Sequence, residues 1–551
     1  MDKAPGVDVT EDTIFSSQAQ VETLITGIYN LGVHNGYPFL DENYRTNMDG
    51  IEAGCTDEGE CTASWFWPNS TWNVGNINQQ NGGSDFRWTD RWNVIRKCNI
   101  VLERIDGVPN TPQSYKDQVT GEVKFLRALA YFEMLKFYGG VPIVDKRFQL
   151  SDDLKVGRNS VEDVVNFIVK NCDEAAALLP DVYPATLRGR ATKGADLMLK
   201  SRTLLYAASP LFNTGTPYLS MSDAGNNKFV CYGNYDVTRW QAAADAAKAV
   251  LDWAPHGGIA LITDQGVDKN YKYMWERTDN NEIIFASQRN GLDGSAFGGM
   301  APPVPPINAL CGITVWLNFV QHYEKKDGTP QTWDMNGGND LNEKYDELDP
   351  RFKQTLSYNG AFWNTTIPNM QTYTGGQQSN LCFGGVWLKK AIPDEWNNTS
   401  SQVSVNWTVF RLAEAYLNYA EALNEAQGPV PEAYDAVNTI RERSGMPDLP
   451  TGLSQSDFRL RVQNERTVEL AYEEHRFWDV RRWLIAENDG IMNGTMWGLT
   501  ITPYPAPVPD NTDFSYLPYA REVRVFSKRE YLHPFPNGEM LKGYLVQNPG
   551  Y

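Results

Sequence analysis

The stretch from Phe410 to Ser444 constrains the fold more than any other part of the chain. Ala413, Ala420, Ala422 and Ala426 set small side chains along one helical pattern, Gly428 stops it, and Ala433, Ala436 and Ile440 line a second helix that turns back on the first. Small residues let helices approach closely, and a glycine just past the last turn is a common stop signal. One such pair cannot bury its apolar face alone, whereas several stacked pairs share a continuous core. The arrangement recurs in Thr111 to Tyr138 followed by Val161 to Leu179, and in Ala191 to Ala208 followed by Val237 to Val250. The chain is therefore expected to be mostly α, a tetratricopeptide-type helical-repeat scaffold. An ordinary bundle with short antiparallel connections is the alternative.

Further helices are expected at Asp12 to Leu31, where Val21, Leu24, Ile25 and Ile28 form a stripe, and at Phe86 to Ile105. Near the C-terminus the spacing predicts Thr408 to Ala426, Pro431 to Arg443, Gln455 to Tyr472 and a short piece from Phe477 to Trp483. This places the scaffold at about 1–36, 86–253 and 407–500 of a single domain, 1–551. The segments 37–85 and 254–406 are rich in Gly, Asn, Ser and aromatics, and 501–551 is an extended, proline-bearing tail. A structureless insertion as long as 254–406 is rare in a compact domain. It is expected to form a large irregular, loop-rich layer with short helices and strands, including a strand at Glu282 to Ser287. Within the tail, Glu522 to Phe526 reads as extended.

Charge excludes several function classes. With 49 basic and 68 acidic side chains the net charge is −19. That disfavours nucleic acid, anionic membrane surfaces and polyanionic ligands, unless a local basic pocket exists. No apolar run reaches the roughly 18 residues of a membrane-spanning helix, and the opening residues are not expected to act as a signal peptide. The start, Met-Asp-Lys-Ala-Pro, reads like a cut made inside a longer protein. Seven cysteines without a CxxC pair argue against a disulfide framework. Cys55 and Cys61 are close enough to bridge within a surface loop, or are separate thiols; Cys98 and Cys172 fall in helical patterns, as small core residues do.

Motifs for chemistry are sparse. The histidines 34, 256, 322, 475 and 533 are scattered, and neither HExxH nor CxxC occurs, so no metal site and no cofactor are expected. Lys326 to Asp340 is rich in oxygen ligands but lacks EF-hand spacing; it is either an incidental calcium site or a set of solvated turns. Gly298-Gly299 and Gly384-Gly385 lack a phosphate-loop context. Glu465, Glu469, Glu473 and Glu474 recur at helical spacing beside Arg466, Arg476, Arg481 and Arg482. They could serve as the carboxyl pair of a glycoside hydrolase. The interleaved signs favour an ion-paired helical face instead.

The aromatics carry the stronger signal, with 17 Trp, 27 Tyr and 23 Phe. Trp65, Trp67 and Trp72 sit in a polar loop, and Trp275, Trp316, Trp333 and Trp363 lie in the middle block among Asn, Gly and Thr. An exposed indole packs against the C–H face of a sugar while amides and carboxylates bind its hydroxyls. These seven Trp are the expected ligand contacts, with Asp41, Asn43 and Asn73 for the hydroxyls. The competing reading is that each Trp anchors a long loop on the helices.

An ordered set of motifs resembles the SusD/RagB family of outer-membrane nutrient-binding lipoproteins. Gly121-Glu-Val-Lys-Phe-Leu-Arg127 with Tyr138-Gly-Gly-Val-Pro142 is the most specific piece. Trp92 to Asn99, Gly189 to Ala195, Arg411 to Asn424, Asn438 to Arg443, Glu465 to Leu470, His475 to Trp483 and Gln547-Asn-Pro-Gly-Tyr551 follow in the family's order. The resemblance implies a non-catalytic cell-surface glycan-binding protein of polysaccharide utilisation. Such a protein sits as a lid on a TonB-dependent, SusC-like outer-membrane transporter and delivers oligosaccharide or polysaccharide to it. It implies a lipid anchor on an upstream Cys that this chain lacks, so a soluble form with an added Met1 is expected. A peptide-capturing, RagB-like lid is the alternative, with a glycoside hydrolase or a pure scaffold behind it. Neither the glycan nor its linkage can be read from these residues.

Overall fold

At the starts of some helices a side chain supplies the missing backbone partner. The structure, a computed structural model, describes residues 10–34, 52–62, 68–80, 87–292, 312–396, 403–503 and 514–551. The principal helices are α1 (Gln18–Tyr29), α2 (Trp88–Arg104), α3 (Gln113–Tyr138), α4 (Val161–Ala176), α5 (Lys193–Ala208), α6 (Thr238–Trp253), α7 (Leu412–Gln427), α8 (Pro431–Arg443), α9 (Gln455–Glu469) and α10 (Arg476–Arg482). Ser160 opens α4 with a capping box: its hydroxyl accepts from Asp163 N at 3.0 Å, and the Asp163 carboxylate accepts from Ser160 N at 3.0 Å. Thr192 and Ser454 cap α5 and α9 by a hydroxyl that accepts from Ala195 N and Asp457 N, and Pro431 occupies the first turn of α8. Gly139 closes α3 at φ 74, where an added Cβ would lie 2.5 Å from the Phe229 carbonyl oxygen.

The helices form a stacked array. Each of α2 to α8 packs on the next in sequence, and α7 also packs on α9. This is the helical-repeat scaffold expected from the alanine-lined pairs. Val123, Leu126, Ile168, Met198 and Leu199 are among its wholly or almost wholly buried residues. Among the described residues there are three small antiparallel sheets. The first has the order β1 (Glu60–Cys61), β3 (Ile313–Thr314), β5 (Trp387–Leu388), β4 (Leu356–Ser357); the second pairs β2 (Ile283–Leu292) with β6 (Val403–Arg411); the third is the hairpin β7 (Gly494–Pro503) and β8 (Phe514–Arg524).

Several element boundaries differ from expectation. The first predicted helix is divided: a short turn at Glu11–Ile14 precedes α1, which continues into a π-helical turn at Asn30–His34. Thr408 to Arg411 belong to β6, and α7 starts only at Leu412. Val403, Val405, Trp407 and Val409 all face inward, the period-2 pattern of a strand. α9 stops at Glu469, not Tyr472, because Tyr472 and Glu474 turn left-handed, at φ 58 and 63.

The acidic and basic run at Glu465 to Arg482 is ion-paired, but as a buried network and not as the face of one helix. Its partners come from elsewhere in the chain. Glu469 accepts from Arg411 at 2.7 Å, Arg351 at 2.9 Å and also Arg443; Glu465 accepts from Arg351 at 2.5 Å and Arg441 at 2.9 Å. Arg482 meets Glu421 on α7 in a two-point pair of 2.5 and 2.7 Å. Burial alone would raise the Glu469 carboxyl, but the surrounding guanidinium groups outweigh it and hold the carboxyl well below the usual range. Burial lowers Lys390 to about 8 even though Glu473 sits beside it. Buried charges persist only when fully paired, so the network ties α7, α8, α9 and the loop layer into one arrangement.

Candidate functional site

The segments bearing the expected ligand contacts spring from neighbouring points. Thr62 N donates to the Gly312 carbonyl at 3.1 Å, just beyond the pairing of Cys61 with Ile313. The chain on either side of 63–67 and the chain leaving 293–311 therefore meet at the β1–β3 end. At the opposite end of 293–311, Leu292 pairs with Val403, which follows 397–402. His34, where the described chain leaves α1, shares a 2.7 Å hydrogen bond between Nδ1 and Ser287 Oγ on β2. Asp41, Asn43, Trp65 and Trp67 lie outside the described residues, between these stems.

The remaining expected contacts are interior residues, which corrects the reading that they face a ligand. Trp316 and Trp363 are 0% exposed, Trp72 3%, Trp275 4% and Trp333 8%. Each fixes a loop. Trp72 stands edge-on to Phe477 at 5.0 Å, and Trp333 edge-on to Tyr516 at 5.0 Å. Trp363 lies beneath the Lys389 ammonium at 4.4 Å, which also donates to its carbonyl at 2.7 Å. Trp316 packs below Arg524, and Trp275 belongs to a small core with Tyr271 and Met274. Asn73 is also buried; its amide donates to the Gly54 carbonyl at 3.0 Å and to Asn69 Oδ1 at 3.3 Å, stapling one side of the loop to the other. Polar neighbours in sequence hid these residues, and the packing partners of Trp72, Trp316 and Trp333 lie far along the chain.

The stem 52–62 is clamped by buried carboxyls. Glu58 Oε1 accepts from Tyr472 N at 2.7 Å, and the Glu58 carbonyl accepts from the Tyr472 hydroxyl at 2.9 Å. Burial pushes the Glu58 carboxyl up to about 7. Burial, with the Glu522 charge nearby, pushes Glu60 to about 7 as well. Asp57 behaves oppositely. Although burial acts to raise it, Arg476 at 2.6 and 2.9 Å, with His322 at 3.1 Å, holds it well below the usual carboxylate range. Burial and the charge of Glu52 raise Glu474 well above its ordinary value, while Glu52 Oε2 accepts from Trp478 Nε1 at 2.7 Å.

Cys55 is a buried free thiol, so the bridge to Cys61 is not formed; burial, with Cys61 next in effect, pushes the Cys55 thiol well up. In the oxygen-rich segment, Asp327 accepts from Thr329 N and Asp334 from Asn336 N, both at 2.9 Å, forming local turns. One solvent-reachable pair went unnoticed in the sequence. The Arg521 guanidinium lies 4.0 Å over the Phe383 ring, and the Phe383 carbonyl accepts from the Tyr519 hydroxyl at 3.2 Å. The alternation along β8 could have placed Arg521 outward, opposite the buried Arg524.

The chain matches known proteins along its length. The profile of the SusD family covers residues 263–551, and a second, described as starch-binding associating with outer membrane, covers residues 1–205. SusD-like protein P25 of Formosa agariphila is 24% identical over 507 residues, 88% of this chain and 86% of the relative. A SusD-like protein of Bacteroides fragilis has the same fold over all of both chains, with a TM-score of 0.80 and 27% identity. A laminarin-binding SusD-like protein shares the fold over 97% of this chain and 100% of its own, with a TM-score of 0.62 and 20% identity. With a profile covering more than half its length, the helical array with its three small sheets belongs to the SusD family.

Proposed function

We propose that the protein captures a glycan at the cell surface, without chemistry, and passes it to a TonB-dependent, SusC-like transporter. The observation that carries this reading is the likeness to the SusD fold from end to end, with starch binding and outer-membrane association in the description of the profile covering residues 1–205. A structural neighbour in the same fold binds laminarin. Trp65 and Trp67 are the aromatic contacts in this proposal, since they lie between the stems Thr62 and Pro68 while the other expected indoles support the platform. Asp41 and Asn43 are the proposed hydroxyl partners. The proposed setting is the outer face of the outer membrane, with a lipid as the means of attachment.

Affinity electrophoresis through gels loaded with different polysaccharides, paired with a reducing-end assay, tests the reading. Retardation by one glycan class with no new reducing ends is the expected result. New reducing ends would make the protein a hydrolase. Retention of peptides with no retardation by any glycan would favour a peptide-capturing lid.

A further inference from the structure

We infer that a cleft between α2 and the strap 142–156 is a second ligand site, and that its ligand is an acidic saccharide. The cleft has a volume of about 800 Å³, within the range of small-ligand sites and roomy enough for two or three sugar rings. It lies against α2, away from the β1–β3 stems, and does not rest on the reading of the loop face.

Its floor is rigid and aromatic. Trp88, Trp92 and Arg96 recur at every fourth position of α2 and so share one face. Trp88 is held edge-on by Trp92 at 5.6 Å, Tyr138 at 5.2 Å and Phe535 at 5.5 Å. Trp92 is half-buried, rests edge-on against Tyr131 at 6.3 Å, and lines the cleft.

Most of its polar groups are paired with one another or with the rim, and three donors are left over. Neither the Trp88 nor the Trp92 indole N–H donates to an acceptor among the described residues. Arg96 is exposed and makes no ion pair there, unlike the cations around it. Arg147 is held by Glu11 and Glu103 at 2.6 Å, Lys146 by Asp152 at 3.3 Å, and Lys542 by Glu539 at 2.8 Å. The Glu539 carboxylate is further occupied by the Tyr544 hydroxyl at 2.7 Å, and the Asn99 amide by the Val144 and Lys146 carbonyls at 3.0 Å. What remains open is an indole face with a guanidinium one turn away and indole donors beside it. A sugar ring can lay its C–H face on Trp92, give hydroxyl oxygens to the indole N–H groups, and set a carboxylate or sulfate on the fork of Arg96. A local basic site of this kind on a chain of net charge −19 selects an anionic ligand by position, not by bulk attraction.

Calorimetry on the full chain tests this with four probes: trigalacturonate, a sulfated galactose trisaccharide, neutral maltotriose, and laurate. Laurate is included because Leu150 and Leu154 stand exposed at the rim. At least one acidic trisaccharide should bind with a Kd of about 0.1 to 1 mM, and comparison of the two tells carboxylate from sulfate. Binding should weaken about tenfold or more in Trp92→Ala and in Arg96→Gln, and also on raising NaCl from about 50 to about 500 mM. Thermal midpoints of the variants should stay near that of the parent; if Trp92→Ala unfolds, the exposed Arg96→Gln decides alone. Measured in Trp65→Ala/Trp67→Ala, which removes the proposed loop contacts, the acidic ligand should bind as it does to the parent and maltotriose at least about tenfold more weakly. No acidic binding up to about 10 mM, equal affinity for maltotriose in that variant, indifference to Arg96→Gln, or preference for laurate would each overturn the assignment.

Discussion

Tyr472, at φ 58, gives its backbone N–H to Glu58 Oε1 at 2.7 Å and its hydroxyl to the Glu58 carbonyl at 2.9 Å. A left-handed residue just past α9 thereby grips the stem that leads to Trp65 and Trp67. A non-glycine residue in that region costs of order 1 kcal/mol and persists only where its surroundings hold it. Here Glu58 is part of that hold.

Glu58 sets a pH dependence. Its folded pKa of about 7 stands above the ordinary value of 4.5. The stability it contributes is therefore complete below pH 4.5 and is lost as pH rises toward 7. Glu58→Gln keeps an acceptor for Tyr472 N and removes the ionisation. Its thermal midpoint should match the parent at about pH 4 and exceed it at about pH 8, by the equivalent of about 1 to 3 kcal/mol. A lower midpoint at pH 8 would contradict this account of the clamp.

Breaking the buried network should be far more damaging. Arg411 bonds Glu282 at 3.0 Å, Glu469 at 2.7 Å and Glu473 at 2.7 Å. Arg411→Met strands these carboxylates and should cost about 3 to 5 kcal/mol, read from urea unfolding. Exchange of the exposed pair Lys248 and Asp252 for alanines should cost under about 1 kcal/mol.

The buried indoles are platform, so their loss should be a stability effect. Trp316→Ala or Trp363→Ala should cost about 3 to 5 kcal/mol with a lowered urea midpoint. Glycan affinity measured on the fraction that remains folded should be unchanged.

Gly139 makes a backbone prediction. At φ 74, with the Phe229 carbonyl 2.5 Å from an added Cβ, Gly139→Ala should destabilise by more than about 1 kcal/mol. Gly258, also left-handed but with open space around it, should lose less on the same change.

Much of the scaffold was legible because it is local. Periodicity and capping residues define α4, α5, α6 and α8 to within a few residues, and Pro431–Arg443 agrees at both ends. β6 was missed, because the alternation of Val403, Val405, Trp407 and Val409 straddles the end of the irregular block and its last residues run without a break into the apolar pattern of α7. The burial of Trp316, Trp363 and Asn73 was not legible, since it depends on Arg524, Lys389 and Gly54 at distances no local pattern encodes. The network showed the same limit. The helical spacing of its glutamates suggested partners on the same helix, whereas Arg351, Arg411 and Arg443 come from other elements.

The central claim is that loop-borne indoles hold a glycan over a helical platform. Calorimetric titration of the retarding glycan into the parent and into Trp65→Ala/Trp67→Ala tests it most directly. The account predicts that the double variant loses at least about tenfold in affinity, roughly one aromatic stack or more, at an unchanged thermal midpoint. Equal affinity in the two proteins would contradict it.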